Sequence, residues 1–488
     1  MKPMTQLMRA RSIALMLGVA GVTALAAQGP AAPRGSASAF APEGTPITLG
    51  LAGYAKVLCS AVFVSGREPA EAFENSGFFL FPEDQRRGIT FDVDRDKTLV
   101  RMTHGAVTRT AKFYGDQGCV IHPQDHDGVY FTPVPVKTRL PDAASQPWPM
   151  GDAPSTEPPP AGVDRARIAK AVDLAFSDPG GLTAAFVVVY KGQIVGERYM
   201  PGITKDTQLE SWSMGKSLTA TLFALLVKDG VYRVNDPAPV PDWRKPGDPR
   251  GAIRIADLLH MSSGLKFIAG QDPDYTPAKG YPDHALVYTG AVDVFAHAMT
   301  RPLQFPPNTE GRYRNSDPLM VGWLIKDAVT RRGEDYLTYP QRALFDRIGI
   351  RRQVLETDPY GNFIMSGYDY GTARNWARLG LLYVQDGVWQ GQRMLPEGWS
   401  TFVSTPAPAW KQPVYGGLFW VNGDGALPIP RSAYLANGAG GQRTIIIPTH
   451  DLVVVRMGHH KGDRAGMKTL NLALAELMAA VQPRQRMK

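Results

Sequence analysis

Cysteine is nearly absent: 488 residues contain two, Cys59 and Cys119. Both lie far from any stretch with nucleophile character, which sets aside cysteine catalysis and a cysteine-rich zinc site. In an oxidising compartment they could pair and close a loop. Two buried free thiols are the alternative, and the sequence alone leaves both open. Runs of one charge are also missing. The formal charge of +8 comes from 53 Lys and Arg against 45 Asp and Glu, without a basic stripe or basic-aromatic interleaving. Nucleic acid is therefore not an expected partner. Metal-ligand clusters are wanting as well. The adjacent pair His459-His460 sits at a strand end, where neighbouring side chains point to opposite faces. No metal and no cofactor is expected. After the first 26 residues no uncharged apolar run reaches the roughly 20 residues of a bilayer span, so none is expected in the mature chain.

What is present begins with a leader. Lys2, Arg9 and Arg11 precede an apolar run from Ser12 to Ala24, followed by the small-residue site Ala24-Leu25-Ala26. Residues 1–26 therefore read as a cleavable signal peptide, and the mature protein is expected in the periplasm or outside the cell. The length calls for two domains. Residues 41–140 form an N-terminal α+β region of unknown role, with a helix over 49–63 and strands over 78–81, 88–93 and 98–102. Residues 141–162, including Glu157-Pro158-Pro159-Pro160, read as an extended linker. From 163 to 481 an amphipathic helix (163–176) leads into a hairpin (184–190 and 193–199). A second hairpin (443–448 and 452–456) and a closing helix (467–481) end the chain. Strands at both ends with helices between predict an α/β (α+β) fold: an antiparallel sheet flanked by helices, with an inserted all-helical region.

The chemistry centres on Ser211-Trp212-Ser213-Met214-Gly215-Lys216-Ser217, which opens a long apolar helical run. Ser213 and Lys216 stand three apart, so a helix places both on one face. A serine needs a neighbouring base, and a partly buried lysine with a lowered pKa can serve. Two other motifs fail. Ser211 occupies the first glycine position of a G-x-S-x-G elbow, and Glu210 the leading glycine of a phosphate loop. Downstream, Tyr313-Arg314-Asn315 offers a phenol that can relay a proton beside a cation, and an amide for a carbonyl. Ala436-Asn437-Gly438-Ala439-Gly440-Gly441-Gln442 precedes a strand. Its glycines let backbone approach a ligand, and an N–H there can join an oxyanion hole.

Together these stretches resemble the serine hydrolases that share the fold of class C β-lactamases and penicillin-binding proteins. That group includes family VIII esterases and 6-aminohexanoate-oligomer hydrolases. The segments Leu258-Leu259-His260-Met261-Ser262-Ser263-Gly264-Leu265, residues 305–315, and Ala377-Arg378-Leu379-Gly380 resemble further family motifs. The resemblance implies that Ser213 is the acylated nucleophile, Lys216 its activating partner and Tyr313 a general base that also activates the deacylating water. It implies that Asn315 contacts the substrate amide, that the oxyanion hole is formed by the N–H groups of Ser213 and Ala439 beside Gly438, and that His260 is structural. Two departures stand out. Arg314 replaces the middle serine of Y-S-N, its side chain expected to point away. Ala436 and Asn437 replace the Lys or His and the Thr or Ser that hold substrate carboxylates. The expected substrate is therefore a small ester or a non-β-lactam amide. The alternatives are a penicillin-binding carboxypeptidase or β-lactamase, and a non-catalytic envelope binding protein. Residues 275–288 are expected to form a long loop over the site, and Trp212 and Trp376 to line it or fill the core.

Overall fold

The computed structural model describes residues 44–77, 86–460 and 466–484. The expected leader and the expected strand at 78–81 lie outside the described residues. The chain enters through α1 (Pro46–Phe63), capped by Thr45, whose hydroxyl accepts the Thr48 N–H at 3.2 Å, with Pro46 preset for a first helical turn. This 18-residue helix is apolar apart from Lys56 and a few hydroxyl-bearing residues, and it is long and apolar enough to cross a bilayer by length and composition alone. A helix apolar all round is a core helix when protein surrounds it. Here Leu51, Tyr54 and Leu58 pack on a four-stranded antiparallel sheet, and Val57 joins the main core of the following domain.

After α2 (Pro69–Asn75), that sheet runs in chain order: β1 (Ile89–Asp94), β2 (Leu99–His104), β3 (Val107–Phe113) and β4 (Cys119–Ile121). The last two strands, too short or too polar to stand out, escaped the sequence reading. Cys59 of α1 and Cys119 of β4 form a disulfide that closes a loop across the unit. Replacing both by alanine is expected to lower stability by about 4 kcal/mol, from the entropy of a loop of sequence separation 60. A urea titration of the variant beside the oxidised parent checks this.

Residues 141–162 are not a free spacer. Trp148 is buried in the main core, and Arg378 donates to the carbonyls of Pro149 and Gly151 and pairs with Asp152 at 2.7 Å. The second domain starts at α3 (Arg165–Ala175) and the hairpin β5 (Thr183–Tyr190) and β6 (Gln193–Tyr199). Lys191 and Gly192 between them both have positive φ, the backbone of a tight hairpin turn matched to strand twist. Next come β7 (Leu209–Glu210) and α4 (Met214–Lys228), then a helical region of α5 (Ile255–Leu259), α6 (Asp283–Thr289), α7 (Val294–Met299), α8 (Ser316–Arg331) and α9 (Tyr339–Ala343). Part of the expected 275–288 loop is thus helix α6. The short strands β8 (Val354–Leu355) and β9 (Asp369–Gly371) pair with β7 in the order β7-β9-β8. Helix α10 (Ala373–Val384), the hairpin β10 (Val388–Trp389) and β11 (Gln392–Arg393), and α11 (Trp399–Ser404) lead to β12 (Trp420–Val421), β13 (Tyr434–Gly438), β14 (Gln442–Ile447), β15 (Leu452–Gly458) and α12 (Met467–Ala480).

The main sheet is antiparallel in the order β12-β13-β14-β15-β5-β6, so the late strands close onto the first hairpin as expected. Strand alternation divides its side chains between two cores. Val188, Ile445 and Val454 face α3 and α12. Val187, Ile446, Val453 and Val455 face α4 and α10 with Leu218, Leu222 and Trp376. All eight residues of β5 are buried, because helices cover both faces.

Candidate active site

Ser213 is placed by strain and burial just upstream. Trp212 has φ +50, an uncommon conformation for a bulky residue. Its ring is held in the core by Tyr288 and Tyr368, at 6.1 and 5.8 Å between centroids. This bend delivers Ser213 as the residue preceding α4, where its side chain makes no capping hydrogen bond. Its Oγ instead lies 2.9 Å from Lys216 Nζ. Lys216 is 1 % exposed, and Nζ also donates to the Ser366 carbonyl at 2.5 Å. Burial drives the lysine pKa well below its ordinary value, partly offset by nearby Asp369. A neutral amine against the serine hydroxyl can take its proton.

Tyr313 completes the group. Lys216 Nζ sits 4.9 Å from the centre of its ring, and the Ser213 and Trp420 side chains act on its hydroxyl to offset part of the effect of burial. Trp420, Tyr415 and His284 surround the ring at 5.2, 5.8 and 6.0 Å. Burial pushes the phenol pKa up, so the hydroxyl keeps its proton. That electrostatic setting suits a neutral relay better than a phenolate base. Asn315 precedes α8 and is fully buried, with Nδ2 committed to the His284 carbonyl at 3.0 Å. Its amide N–H supports α6 beside the site. Arg314 does point elsewhere: it donates to the Leu265 carbonyl at 2.7 Å and pairs with Asp272 at 3.0 Å, fastening the loop ahead of α6.

Gly438, the last residue of β13, presses on the Ser211 carbonyl so closely that a side chain at 438 would collide with it. Ala439, the next residue, thereby lies beside the turn that carries Ser213. Ala436 is buried in the core with Trp212, and Asn437 pairs across the ladder with Arg443 on β14, whose charge acts on Tyr313. Arg443 Nη1 is committed to the Gly438 and Gln442 carbonyls at 2.9 and 2.8 Å. His260 follows α5 and stacks on Phe402, with burial lowering its pKa to about 4, as befits a structural histidine. Trp376 is core. His460 contacts Trp212.

Sequence reasoning missed Asp369 and Tyr288. Asp369 is fully buried. Its Oδ1 accepts from Ser211 Oγ, its carbonyl accepts the Ser211 N–H at 3.0 Å, and Oδ2 crowds Gly215, where no side chain would fit. Burial raises its pKa to about 8. Tyr288 donates at 2.9 Å to the same Ser366 carbonyl that receives Lys216. Neither residue carries a motif, since both reach the site from separate elements. A cleft of about 800 Å³ elsewhere, lined by Arg250, Lys266, Tyr281 and Arg301, contains none of these residues; Arg250 and Arg301 pair there with Asp248 and Asp283.

Residues 168–478 match the family model described as Beta-lactamase. The 6-aminohexanoate-dimer hydrolase of Paenarthrobacter ureafaciens is 22% identical over 303 residues, 56% of this chain and 72% of that protein. A penicillin-binding protein homolog from Caulobacter crescentus shares the fold at TM-score 0.50 and 17% identity, covering 66% of this chain and 100% of that one. EstCE1, a hydrolase with promiscuous acyltransferase activity, does so at TM-score 0.51 and 14% identity, over 64% and 99%. The family match takes in more than half of the sequence, the sheet and every residue gathered around Ser213, and the chain belongs to the beta-lactamase family of serine hydrolases.

Proposed function

We propose that this protein cleaves an ester or amide through an acyl-enzyme at Ser213. The carrying observation is the 2.9 Å approach of Ser213 Oγ to a buried Lys216 whose pKa is depressed. Lys216 takes the hydroxyl proton as Oγ attacks the substrate carbonyl. The N–H groups of Ser213 and Ala439 receive the developing oxyanion. The proton then passes through the Tyr313 hydroxyl to the leaving alcohol or amine as the carbonyl–heteroatom bond breaks. Water attacks the acyl carbonyl, gives its proton to the same relay, and Ser213 leaves with a proton restored.

The substrate reading follows from Ala436 and Asn437. A Lys or His and a Thr or Ser there would make charge-assisted hydrogen bonds to a carboxylate. Each one lost weakens recognition by about 1.5–3 kcal/mol. The nearby cation, Arg443, spends Nη1 on the Gly438 and Gln442 carbonyls and Nη2 on Met467 Sδ at 3.4 Å. An ester or a non-β-lactam amide is therefore favoured over a penicillin or a peptidoglycan stem. The relative's action on a 6-aminohexanoate dimer supports including amides. The leader and the Cys59–Cys119 disulfide favour a periplasmic or secreted enzyme.

Initial rates on p-nitrophenyl butyrate, a 6-aminohexanoate dimer and a cephalosporin test this reading. Turnover of the ester or the dimer far above the cephalosporin is expected. A cephalosporin rate equal to that on the ester would overturn it. The pH dependence adds a further expectation. Since Lys216 must be neutral, kcat/KM falls as acid protonates it. With its pKa depressed, the profile levels off well below the ordinary lysine value of 10.5. A rate still climbing towards that value would show an unperturbed lysine.

A further inference from the structure

The N-terminal unit reaches the back of the site. Glu356, the first residue of the segment between β8 and β9, is fully buried in the second domain. Its carboxylate accepts from Lys56 Nζ, from Ser60 Oγ at 2.7 Å and from the Cys119 N–H at 2.8 Å, all three donors belonging to the N-terminal unit. Gly118, at φ +66, comes so close to Glu356 that any side chain would collide. Lys56 Nζ also lies 3.2 Å above the centre of the Tyr368 ring. From there the contacts run inward. The Tyr368 hydroxyl donates to the Tyr288 carbonyl at 2.9 Å, and the Tyr288 hydroxyl donates to the Ser366 carbonyl at 2.9 Å. That carbonyl receives Lys216. The neighbouring Asp369 holds Ser211. The segment from 356 to 369 is thus fastened to Lys56 on one side and, on the other, to Lys216 and to Ser211, two residues ahead of Ser213.

We propose that Lys56 is a positioning residue for catalysis, holding the 356–369 segment, and through Tyr368 and Tyr288 the Ser366 carbonyl, where Lys216 must meet it. The proposal rests on the hydrolase reading above. A buried ion pair is weak support for stability, since an apolar pair of similar volume commonly does as well. An ammonium fixed by a carboxylate and an aromatic face is instead directional, and fixes where the ring and its hydroxyl sit. The N-terminal unit is accordingly part of the catalytic apparatus.

The test separates folding from positioning. Lys56→Met leaves Glu356 buried and uncompensated and is expected to lower the urea midpoint. Lys56→Met with Glu356→Gln removes both charges while keeping an acceptor for Ser60 and Cys119. It is expected to regain most of that stability, yet to acylate Ser213 with a fluorophosphonate roughly 10- to 100-fold more slowly, the cost of a misplacement near 1 Å. The KM for p-nitrophenyl butyrate should stay near the parent value while kcat falls. Tyr368→Phe, which severs only the link to the Tyr288 carbonyl, should slow acylation in the same sense. Parent-like acylation in both the double variant and Tyr368→Phe would overturn the positioning role and leave the hydrolase reading intact. An unlabelled parent protein would overturn the hydrolase reading and, with it, any role for Lys56 in acylation.

Discussion

Lys216→Met is expected to lower kcat/KM for ester hydrolysis by about 10⁴-fold, at the upper end of what a positioned base supplies. Methionine is unbranched, of similar length, and fits the slot the lysine stem already fills. The loss is therefore chemical: Ser213 keeps its place but has no group 2.9 Å away to take its proton. The same substitution should not destabilise the fold. A lysine whose folded pKa is depressed binds fewer protons folded than unfolded, so stability rises with pH between the folded value and the ordinary 10.5. Below that window the buried lysine opposes folding, and removing it is expected to raise stability at neutral pH, by about 1 kcal/mol or more. A variant that is more stable and almost inactive would mark Lys216 as a functional burden on the fold. Rates on p-nitrophenyl butyrate beside urea midpoints at two pH values measure both halves.

The largest effect on stability is expected at Glu356. Glu356→Ala strands the Lys56 ammonium in a buried setting and leaves the Ser60 hydroxyl and the Cys119 N–H without their acceptor. Removing one member of a buried ion pair costs about 3–5 kcal/mol. Because Glu356 joins the two units, its loss should loosen the N-terminal unit from the second domain, and limited proteolysis near residues 122–140 should quicken. An exposed carboxylate on the four-stranded N-terminal sheet, Asp92 paired with Arg101 at 2.8 Å, is the control, with an effect below about 1 kcal/mol on replacement by alanine.

The family fold was legible because its signals are local and long. Helix α4 carries a mostly apolar, uncharged stretch between Lys216 and Lys228, and the β5–β6 and β14–β15 hairpins carry alternating or wholly buried β-branched residues around tight turns. Ser213, Lys216 and Tyr313 were legible as residue types at fixed spacing near recognisable neighbours. What was hidden depends on contacts between distant elements. Asp369 and Tyr288 belong to no motif, and only the pairing of β7 with β9 and the docking of α6 bring them behind Ser213. Helix α1 read as a helix, but its one buried lysine gave no sign of a partner 300 positions away. Residues 141–162 looked like a spacer by composition, because proline and alanine lack periodicity whether or not they pack. Trp148, Arg378 and Asp152 decide that they do.

The most direct measurement is intact-mass spectrometry of the parent protein and Ser213→Ala, quenched in acid within seconds of mixing with p-nitrophenyl butyrate. The account predicts a transient butyryl adduct on the parent, mapped to Ser213 and absent from the variant. An adduct on any other residue, or equal ester turnover by Ser213→Ala, would contradict it.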